Sequence, residues 1–587
     1  MKEFLKFTFA SVAGVIIAFV LIFLVFMGIF VSAVNFAEDE VVLVKDQSIL
    51  EIKLSQTIHD RGVNQPFYPG NFEMEKSMGL DQVLDNLKKA AVDNNIKGIL
   101  INLTGTPQGA ATNKEIRDAL LKFKESGKFI VSYSENYSQG AYYLASVADK
   151  VYMHPEGGMF FKGLNAEIMF YKGLLEKVKV EAQVIRHGEF KSAVEPFILN
   201  KMSEASRLQT QKFIDEIWDV LVEDISKSRN ISVEDLNRIA DDLAVNLPDG
   251  AMKHKLVDGL IYRDQLENEL RERSGLDADE DLRLVKFSKY TDALVSEYKK
   301  LRSKNKIAVV YATGAIESGK GDDLTIGSDR IAGAIADARK DSTIKAIVMR
   351  VNSPGGSALA SDVIWRELVL AKKQKPVVVS FGNVAASGGY YISTHADKIF
   401  ASPVTITGSI GVFGMIPNFK PMMNELLGVT TDNVKTNMHA DYISVTRKMS
   451  DYEYDVTLKG VEKVYESFTN KVAEGRQIPI DKVLEIAEGR VWAGTTAKKI
   501  KLVDEFGGLD DAIEAAAELA ELDNYRTISL PKQKDPITEI IEQLTGQQEQ
   551  TAIKAELGPF YKYYQHLKAL SEMEGIQARL PYEIDIY

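Results

Sequence analysis

The chain has 587 residues, a formal net charge of −12 at pH 7, seven histidines and no cysteine. The lack of cysteine excludes disulfides, thiolate metal sites and a cysteine nucleophile, and the net negative charge disfavours a nucleic-acid partner. The length suits about three to five domains, or two large ones.

The N-terminal segment is strongly apolar. Residues 7–37 contain no charged side chain, and this run exceeds both the ~20 residues of a membrane-spanning helix and the ~7–15 apolar residues of a signal peptide. Lys2 and Lys6 precede the run and an acidic triplet follows it, which predicts a cytoplasmic N-terminus. We therefore predict that residues 1–37 form a cytoplasmic stub and one transmembrane anchor. A signal peptide cleaved near residue 33 is the alternative.

The rest of the chain contains an internal repeat. GAYYLASVADK at 140–150 matches GGYYISTHADK at 388–398, and IKGILINL at 96–103 matches IKAIVMRV at 344–351, both with an offset of 248 residues. KLVDGL and KLVDEF form a third pair at nearly the same offset. Repeated strings at one spacing indicate duplication of a structural unit. We predict three regions after the anchor: an N-terminal repeat at 45–300, a C-terminal repeat at 305–525 and a C-terminal extension at 526–587.

Each copy alternates short apolar segments with helical ones, which predicts an α/β unit with parallel strands buried on both faces. Two long helices are predicted near 203–228 and 451–474, and the charge-rich segment 272–304 is interpreted as a solvated helical linker. In the second copy the predicted strands are 307–312, 346–351, 376–381 and 398–402.

Two strand-to-helix junctions of the second copy contain residues that could act in catalysis. RVNSPGGS at 350–357 contains a glycine pair whose backbone N–H groups could bind an oxyanion. Ser387, in AASGGYY, follows the next strand and is flanked by small residues. ASGG also fits a helix N-cap with flexible glycines. In the first copy Gln139 takes the place of Ser387, so the first copy has no nucleophile at that point.

A serine nucleophile needs a base. His395 lies eight residues after Ser387 and aligns with Val147 of the first copy, and we interpret it as a packed or surface histidine. A lysine desolvated beside the serine is the other option, because burial lowers the pKa of an amine. Composition does not select one lysine from the many in the chain.

Four strings carry a resemblance to a known family: HGEFKSAVEPF, RVNSPGGS, AASGGYY and TGSIGVFG, in this order along the chain. They resemble those of the long form of the signal peptide peptidase A family, also called protease IV. The resemblance implies two tandem α/β units, like those of the Clp protease and the crotonases, behind one transmembrane helix. It implies a serine endopeptidase with a Ser–Lys dyad that degrades remnant signal peptides.

The resemblance also implies roles for individual residues. Ser387 is expected to be the nucleophile, Lys191 of the first copy the general base, and Ser409 the residue that orients the lysine. Each copy then lacks one catalytic group, which predicts a site between the copies. The oxyanion positions carry over to three glycines: Gly355, Gly356 and Gly388.

The same resemblance predicts the surroundings of the enzyme. We expect no metal and no organic cofactor, hydrophobic signal-peptide fragments as substrates, and a ring-shaped homo-oligomer such as a tetramer. Residues 7–37 would contact the lipid bilayer of the cytoplasmic (inner) membrane, with the catalytic region on the periplasmic side. Two alternatives are a catalytically inactive scaffold that binds membrane peptides and a crotonase-like acyl-CoA enzyme.

Overall fold

A computed structural model of the chain describes residues 6–8, 11, 14–21, 42–62, 77–296, 298, 303–533 and 577–579. Most of the anchor predicted at 7–37 lies outside these residues. Within the described ranges, no helix combines the length and the apolar character needed to cross a membrane.

The strands of the first half are β1 (Ser48–Ile52), β2 (Ile96–Ile101), β3 (Phe129–Tyr137), β4 (Lys150–Met159), β5 (Glu181–His187), β6 (Gly259–Leu260) and β7 (Leu284–Lys286). Six of them form a parallel sheet in the order β6-β4-β3-β2-β1-β7, and β5 belongs to a different sheet. The strands β1 and β2 are almost wholly buried, as expected for parallel strands covered on both faces.

The second half contains the strands β8 (Lys306–Thr313), β9 (Ile316–Glu317), β10 (Ile326–Gly327), β11 (Ile344–Ser353), β12 (Gly355–Ser357), β13 (Val377–Ala386), β14 (Lys398–Ala401), β15 (Ile406–Gly408), β16 (Val412–Asn418), β17 (Val491–Ala493), β18 (Glu505–Phe506), β19 (Arg526–Leu530) and β20 (Gln577–Arg579). Eight of them form a sheet in the order β17-β15-β13-β11-β8-β19, in which β14 also pairs with β13, and β18 pairs with β14. All pairs in this sheet are parallel except β15 with β17. The two sheets repeat the same strand, helix and strand succession, as the sequence repeat predicts.

Helices cover the sheets in both halves. In the first half they are Leu80–Val92, Ala110–Lys124, Gln139–Ala145, Lys172–Lys177, Glu195–Ile198, Glu204–Arg229, Val233–Asp241, Pro248–Lys253, Arg263–Ser274 and Phe287–Tyr290. In the second half they are Ser328–Lys340, Ala358–Lys372, Gly388–Tyr391, Asp451–Arg476, Ile480–Ile486, Gly494–Lys499 and Leu509–Leu519, with a short π-helix at Met422–Leu426.

The two long predicted helices are confirmed, at Glu204–Arg229 and Asp451–Arg476. Each begins after a serine, Ser203 or Ser450, whose side-chain oxygen accepts a backbone N–H from the first turn. Such a cap satisfies one of the N–H groups that a helix start leaves without a partner.

The prediction of a solvated helical linker at 272–304 is wrong for its middle part. Leu284–Lys286 form β7, which extends the first sheet beside β1, and Phe287 and Tyr290 are buried. A polar pattern suits an edge strand because one side of such a strand faces solvent. Arg526–Leu530 take the same place as β19 beside β8, so the second sheet extends past residue 525 into the predicted extension.

A third sheet joins the halves, in the order β10-β9-β12-β20-β16-β5. β5 from the first half runs antiparallel to β16 from the second half, and its last residue, His187, pairs with the first residue of β16, Val412. The residues just after β5 and those just before β16 therefore lie at the same end of the pair.

Apolar packing also crosses between the halves. Five residues of the second half belong to the buried apolar cluster of the first half: Ala386, Val404, Ile406, Val491 and Ala493. The two sheets thus share part of one core, which holds loops from both halves in a fixed relation.

A buried ionic cluster reinforces this interface. Arg350 on β11 is fully buried, and its Nε lies 2.6 Å from Asp60 Oδ1 while its Nη2 lies 2.6 Å from Glu115 Oε2. The Asn352 amide donates to the other oxygen of Asp60 at 2.8 Å. A buried guanidinium is tolerated only when it is paired, so both carboxylates of the first half hold the strand that leads into the 350–357 junction.

Candidate active site

Ser387 sits in a strained turn between β13 and the helix Gly388–Tyr391. Its backbone angles are φ 55° and ψ −115°, and its side chain is fully buried. Its N–H donates to the Gly408 carbonyl at 2.8 Å, and its own carbonyl accepts from Tyr391 N at 2.8 Å. A non-glycine residue at positive φ costs of order 1–3 kcal/mol and persists only where neighbours enforce it. This sharp strand-to-helix turn is typical of nucleophilic serines.

Lys191 reaches Ser387 from the other half of the molecule. It lies in the loop that follows β5, whereas Ser409 lies just before β16, and the β5–β16 pairing brings these two loops together. The Lys191 loop also rests directly on the second half: Phe190 N donates to Glu488 O at 3.0 Å, and a Cβ built on Gly489 would lie 2.6 Å from Lys191 Cβ. Glycine is required at 489 because only hydrogen fits in that space.

The amine of Lys191 contacts three oxygens. Its Nζ lies 2.9 Å from Ser387 Oγ, 2.9 Å from Ser409 Oγ and 3.1 Å from the Ser409 carbonyl oxygen. A neutral amine has two N–H groups and one lone pair. If the two N–H groups donate to the two oxygens of Ser409, the lone pair faces the Ser387 hydroxyl.

Burial favours this neutral form. The Lys191 side chain is fully buried, and burial lowers its pKa well below the ordinary value of 10.5. The physical reason is that a low-dielectric site destabilises the charged ammonium relative to the neutral amine. An amine that has lost its proton can accept one from a serine hydroxyl.

The three predicted oxyanion glycines lie together, but they differ in their contacts. Gly355 adopts φ 95°, and a Cβ built on it would lie 2.7 Å from Gly388 N. Its own N–H donates to Ser353 Oγ at 3.1 Å, so Gly355 supplies space rather than a hydrogen-bond donor. Gly356 pairs with Ile316 of β9 and with Ala578 of β20.

The first copy lacks the corresponding arrangement. Its junction has Ser138 at φ −68°, in the β region, where the side chain caps the helix Gln139–Ala145. The Gln139 side-chain oxygen accepts from the backbone N–H groups of Lys162 and Gly163 at 3.0 and 3.1 Å. A cavity of about 710 Å³ lies beside Gln139 and is bordered by Phe160 and by second-half residues. The first copy therefore keeps the strand-to-helix junction but has no serine with strained backbone angles at this point.

His395 lies apart from the Ser387 and Lys191 pair. Its Nδ1 is 3.0 Å from Trp365 Nε1 and its Nε2 is 3.7 Å from Glu474, and the side chain is 18% exposed. This agrees with the interpretation of His395 as a packed histidine.

Two groups that support the site were not predicted from the sequence. Gln209 on the long helix donates to Phe190 O at 3.1 Å and to Ser192 Oγ at 2.9 Å, and so holds both neighbours of Lys191. Arg350 is a charged residue inside an apolar strand, which is a signal for a buried ion pair. Its carboxylate partners are 235 and 290 residues away in sequence, so no local pattern pointed to them.

Comparison with known proteins identifies the family. The family model "Peptidase family S49" matches residues 122–277 and again 370–523, so the first match contains Lys191 and the second contains Ser387 and Ser409. The chain is 36% identical over 545 residues to "Protease 4" of Salmonella typhi, covering 90% of this chain and 87% of that protein.

Two further relatives are similar over most of their length. "Protease 4" of Haemophilus influenzae is 36% identical over 442 residues, which are 74% of this chain and 72% of that protein. "Serine protease SPPA, chloroplastic" of Arabidopsis thaliana is 31% identical over 509 residues, 86% of this chain and 74% of that protein. The chain therefore belongs to peptidase family S49 and is a serine protease of the long form, in which the family's unit occurs twice.

Proposed function

We propose that this S49 serine protease cleaves peptide bonds with Ser387 as nucleophile and Lys191 as general base, and that its substrates are remnant signal peptides. The observation that carries the proposal is the distance of 2.9 Å between Lys191 Nζ and Ser387 Oγ. The lowered pKa of the buried Lys191 amine supports the assignment of the base.

The proposed reaction has two steps. Lys191 takes the Ser387 proton as Oγ attacks the carbonyl carbon, and the lysine then gives this proton to the departing amine. Water, activated by the same lysine, next hydrolyses the ester and restores both groups. The Gly356 and Gly388 amides would bind the oxyanion, where one donor contributes about 3 kcal/mol. Ser409 positions the amine so that its lone pair faces Ser387.

The proposal extends to the location and assembly of the enzyme. An anchor at residues 7–37 in the cytoplasmic membrane would hold the peptidase on the periplasmic side, next to signal peptides left in the bilayer. A ring-shaped homo-oligomer would restrict the site to unfolded segments. Deletion of residues 1–37 should release the chain from the membrane fraction, and light scattering of the detergent-solubilised full chain should give several copies per particle.

The chemistry is tested with the full-length chain and a synthetic signal peptide that carries a fluorogenic reporter. Ser387→Ala and Lys191→Ala should each lower kcat/KM by about 10³-fold or more, because each removes a group that the other needs. Ser138→Ala, the matched change at the junction of the first copy, should leave hydrolysis intact. In the wild type the rate should rise with pH through the lowered pKa of Lys191 and be high well below pH 10.5.

Retention of full activity by both Ser387→Ala and Lys191→Ala would exclude the dyad. If the wild type hydrolyses no peptide and a fluorophosphonate does not label Ser387, the inactive scaffold would be the better interpretation. If the enzyme cuts exposed polar peptides as fast as signal peptides, the dyad stands but the proposed substrate is wrong.

A further inference from the structure

The first copy has a cavity at the place where the second copy has its catalytic junctions. The cavity has a volume of about 710 Å³, and both Gln108 and Gln139 line it. With the repeat offset of 248 residues, Gln139 corresponds to Ser387 and Gln108 to Gly356. Pockets that bind ligands have volumes of roughly 300–1,000 Å³. The first copy thus keeps a pocket of binding size where its catalytic serine is missing.

The walls of this cavity are largely apolar and come from both halves of the chain. Phe160 borders the cavity and is 59% exposed, whereas the other large apolar residues of the lining are buried or half-buried. These residues are Leu164, Ile217 and Leu221 from the first half and Val384, Val404 and Ile406 from the second. Such walls remove the apolar surface of a ligand from water, so the cavity favours an apolar ligand.

One polar side chain of the lining is buried with an incomplete set of hydrogen bonds. Gln108 is 7% exposed, and its Nε2 donates to Asn113 Oδ1 at 2.9 Å. Asn113 Nδ2 donates in turn to Thr106 Oγ1 at 3.2 Å. Gln108 Oε1 has no hydrogen-bond partner among the described residues. Since buried polar atoms are nearly always paired, a ligand with an N–H group would satisfy this oxygen.

The helix Ala110–Lys124 begins at the cavity and has free N–H groups in its first turn. The residue before it is a glycine, which offers no side-chain cap. Asn383 from the second half accepts from Thr112 N at 3.0 Å. The N–H groups of Ala110 and Ala111, which both line the cavity, have no partner within the described part of the chain. The first N–H groups of a helix attract an acceptor such as a carbonyl oxygen.

These features together match an apolar peptide better than a fatty acyl chain. A peptide group supplies an N–H for Gln108 Oε1 and a carbonyl oxygen for the start of the helix, while its apolar side chains fill the cavity. The carboxylate of a fatty acid offers acceptors only and would leave Gln108 Oε1 unpaired. An extended apolar peptide is therefore the ligand that satisfies the walls, the acceptor and the donors.

The cavity lacks the groups needed to cut such a peptide, but it lies close to the residues that could. Gln139 takes the place of the serine, and its side-chain oxygen is occupied by Lys162 N and Gly163 N. Val384 of β13 lines the cavity, and Ser387 follows three residues later, about 10 Å away at ~3.3 Å per residue of strand. A signal peptide of ~15–30 residues is long enough to reach both places.

We propose that this cavity is a second, non-catalytic peptide-binding site, which holds one apolar segment of a long substrate while another segment is cut at Ser387. The proposal rests on the proposed function for its class of substrate. Binding of one segment raises the effective concentration of the rest of the same peptide at Ser387. The enzyme then favours long apolar peptides over short ones.

The test compares a long and a short reporter peptide on the full-length chain. Both contain the same cleavable sequence, and the long one adds an apolar segment of about ten residues, ~33 Å when extended. Ala110→Trp fills the cavity and Gln108→Leu removes the acceptor. Each should lower the long-to-short ratio of kcat/KM about tenfold, mainly by raising the KM of the long peptide. Leu121→Trp, at a 40% exposed position of the same helix outside the lining, should leave this ratio unchanged.

A binding measurement gives a second readout that does not depend on catalysis. The added apolar segment, labelled with a fluorophore and a photo-cross-linker, should bind to the full-length Ser387→Ala variant. Its cross-links should map to residues 106–111 or 160–164, and Ala110→Trp in the same background should weaken the binding. Cross-links confined to residues 387–391 would overturn the second site.

The outcomes distinguish this proposal from the proposed function. If wild type hydrolyses both reporters and neither variant changes the ratio, the second site is wrong and the proposed function stands. If wild type hydrolyses neither reporter but the labelled segment cross-links at the cavity, the proposed function fails and the binding site stands. Cross-linking of a labelled dodecanoate at the cavity, without binding of the peptide, would make it a lipid site. Fewer copies per particle for Ala110→Trp in light scattering would mean that a second copy fills the cavity. Either of these two results would overturn the proposal.

Discussion

The replacement Lys191→Met should remove activity, and the stability of the variant relative to the wild type should rise as the pH is lowered. Lys191 is fully buried and its pKa is well below 10.5. Between that lowered pKa and pH 10.5, the folded chain holds a neutral amine whereas the unfolded chain holds an ammonium. The unfolded state then binds one more proton, so the stability of the wild type falls as the pH is lowered through this window.

The magnitude of this change in unfolding free energy follows from the difference in bound protons between the folded and unfolded states. Each pH unit below 10.5 costs the wild type about 1.4 kcal/mol, until the lowered pKa is reached. Methionine has a similar length, but it gives up all three contacts of the Lys191 amine, which contribute about 1 kcal/mol each. This loss does not depend on pH. The expected result is therefore the slope: relative to the wild type, the variant gains about 1.4 kcal/mol for each unit by which the pH falls between 10.5 and the lowered pKa.

The assay is urea unfolding of the full-length chain at several pH values between 7 and 10, followed by tryptophan fluorescence. The difference in unfolding free energy between Lys191→Met and wild type should rise by about 1.4 kcal/mol for each unit of decreasing pH, down to the lowered pKa. Lys227→Met, at a side chain that is 73% exposed, is the control and should show no such slope. A pH-independent difference for Lys191→Met would refute the prediction, because the folded chain would then hold a charged lysine.

Two further predictions concern residues around the dyad. Arg350→Met should destabilise the protein by about 3–5 kcal/mol in the same unfolding assay, because Asp60 and Glu115 lose their buried partner. Adding Asp60→Asn and Glu115→Gln should recover part of this loss. Unchanged stability of the single variant would contradict the role of the cluster. Ser409→Ala should lower kcat about five- to tenfold with little change in KM, since the Lys191 amine loses one of its two contacts with Ser409. The pH–rate profile of the variant should shift as well. A change in KM alone would argue against a positioning role for Ser409.

The local order of elements was predictable from the sequence. Apolar strand-length segments, the spacing of helical stretches and the 248-residue offset predicted two α/β units, and the structure has the corresponding sheets and long helices. These features are predictable because burial of one face or both faces of an element leaves a periodic pattern in its own residues. The short edge strand β7 and the short strand β20 were not predicted, since pairing over two or three residues needs little apolar character.

The candidate residues could be named from the sequence, but their chemistry could not be derived from it. Ser387 and Lys191 were assigned through short strings that resemble a family, with no local reason to choose this lysine over others. Their contact depends on the antiparallel pairing of β5 with β16, across a separation of 196 residues. Gln209 and Arg350, which the sequence analysis did not identify, also act through partners that are distant in the chain.

The sequence alone established the duplication, the absence of thiol chemistry, and the division of serine and lysine between two copies that each lack the other group. Tertiary structure decided three things that make these residues a site: the strained backbone of Ser387, the full burial that lowers the pKa of the Lys191 amine, and the pairing of β5 with β16 that brings the two loops together. The physical reason is that strain and desolvation are properties of an environment built by both halves. Local periodicity records which face of an element is buried, but it does not record what that face is buried against.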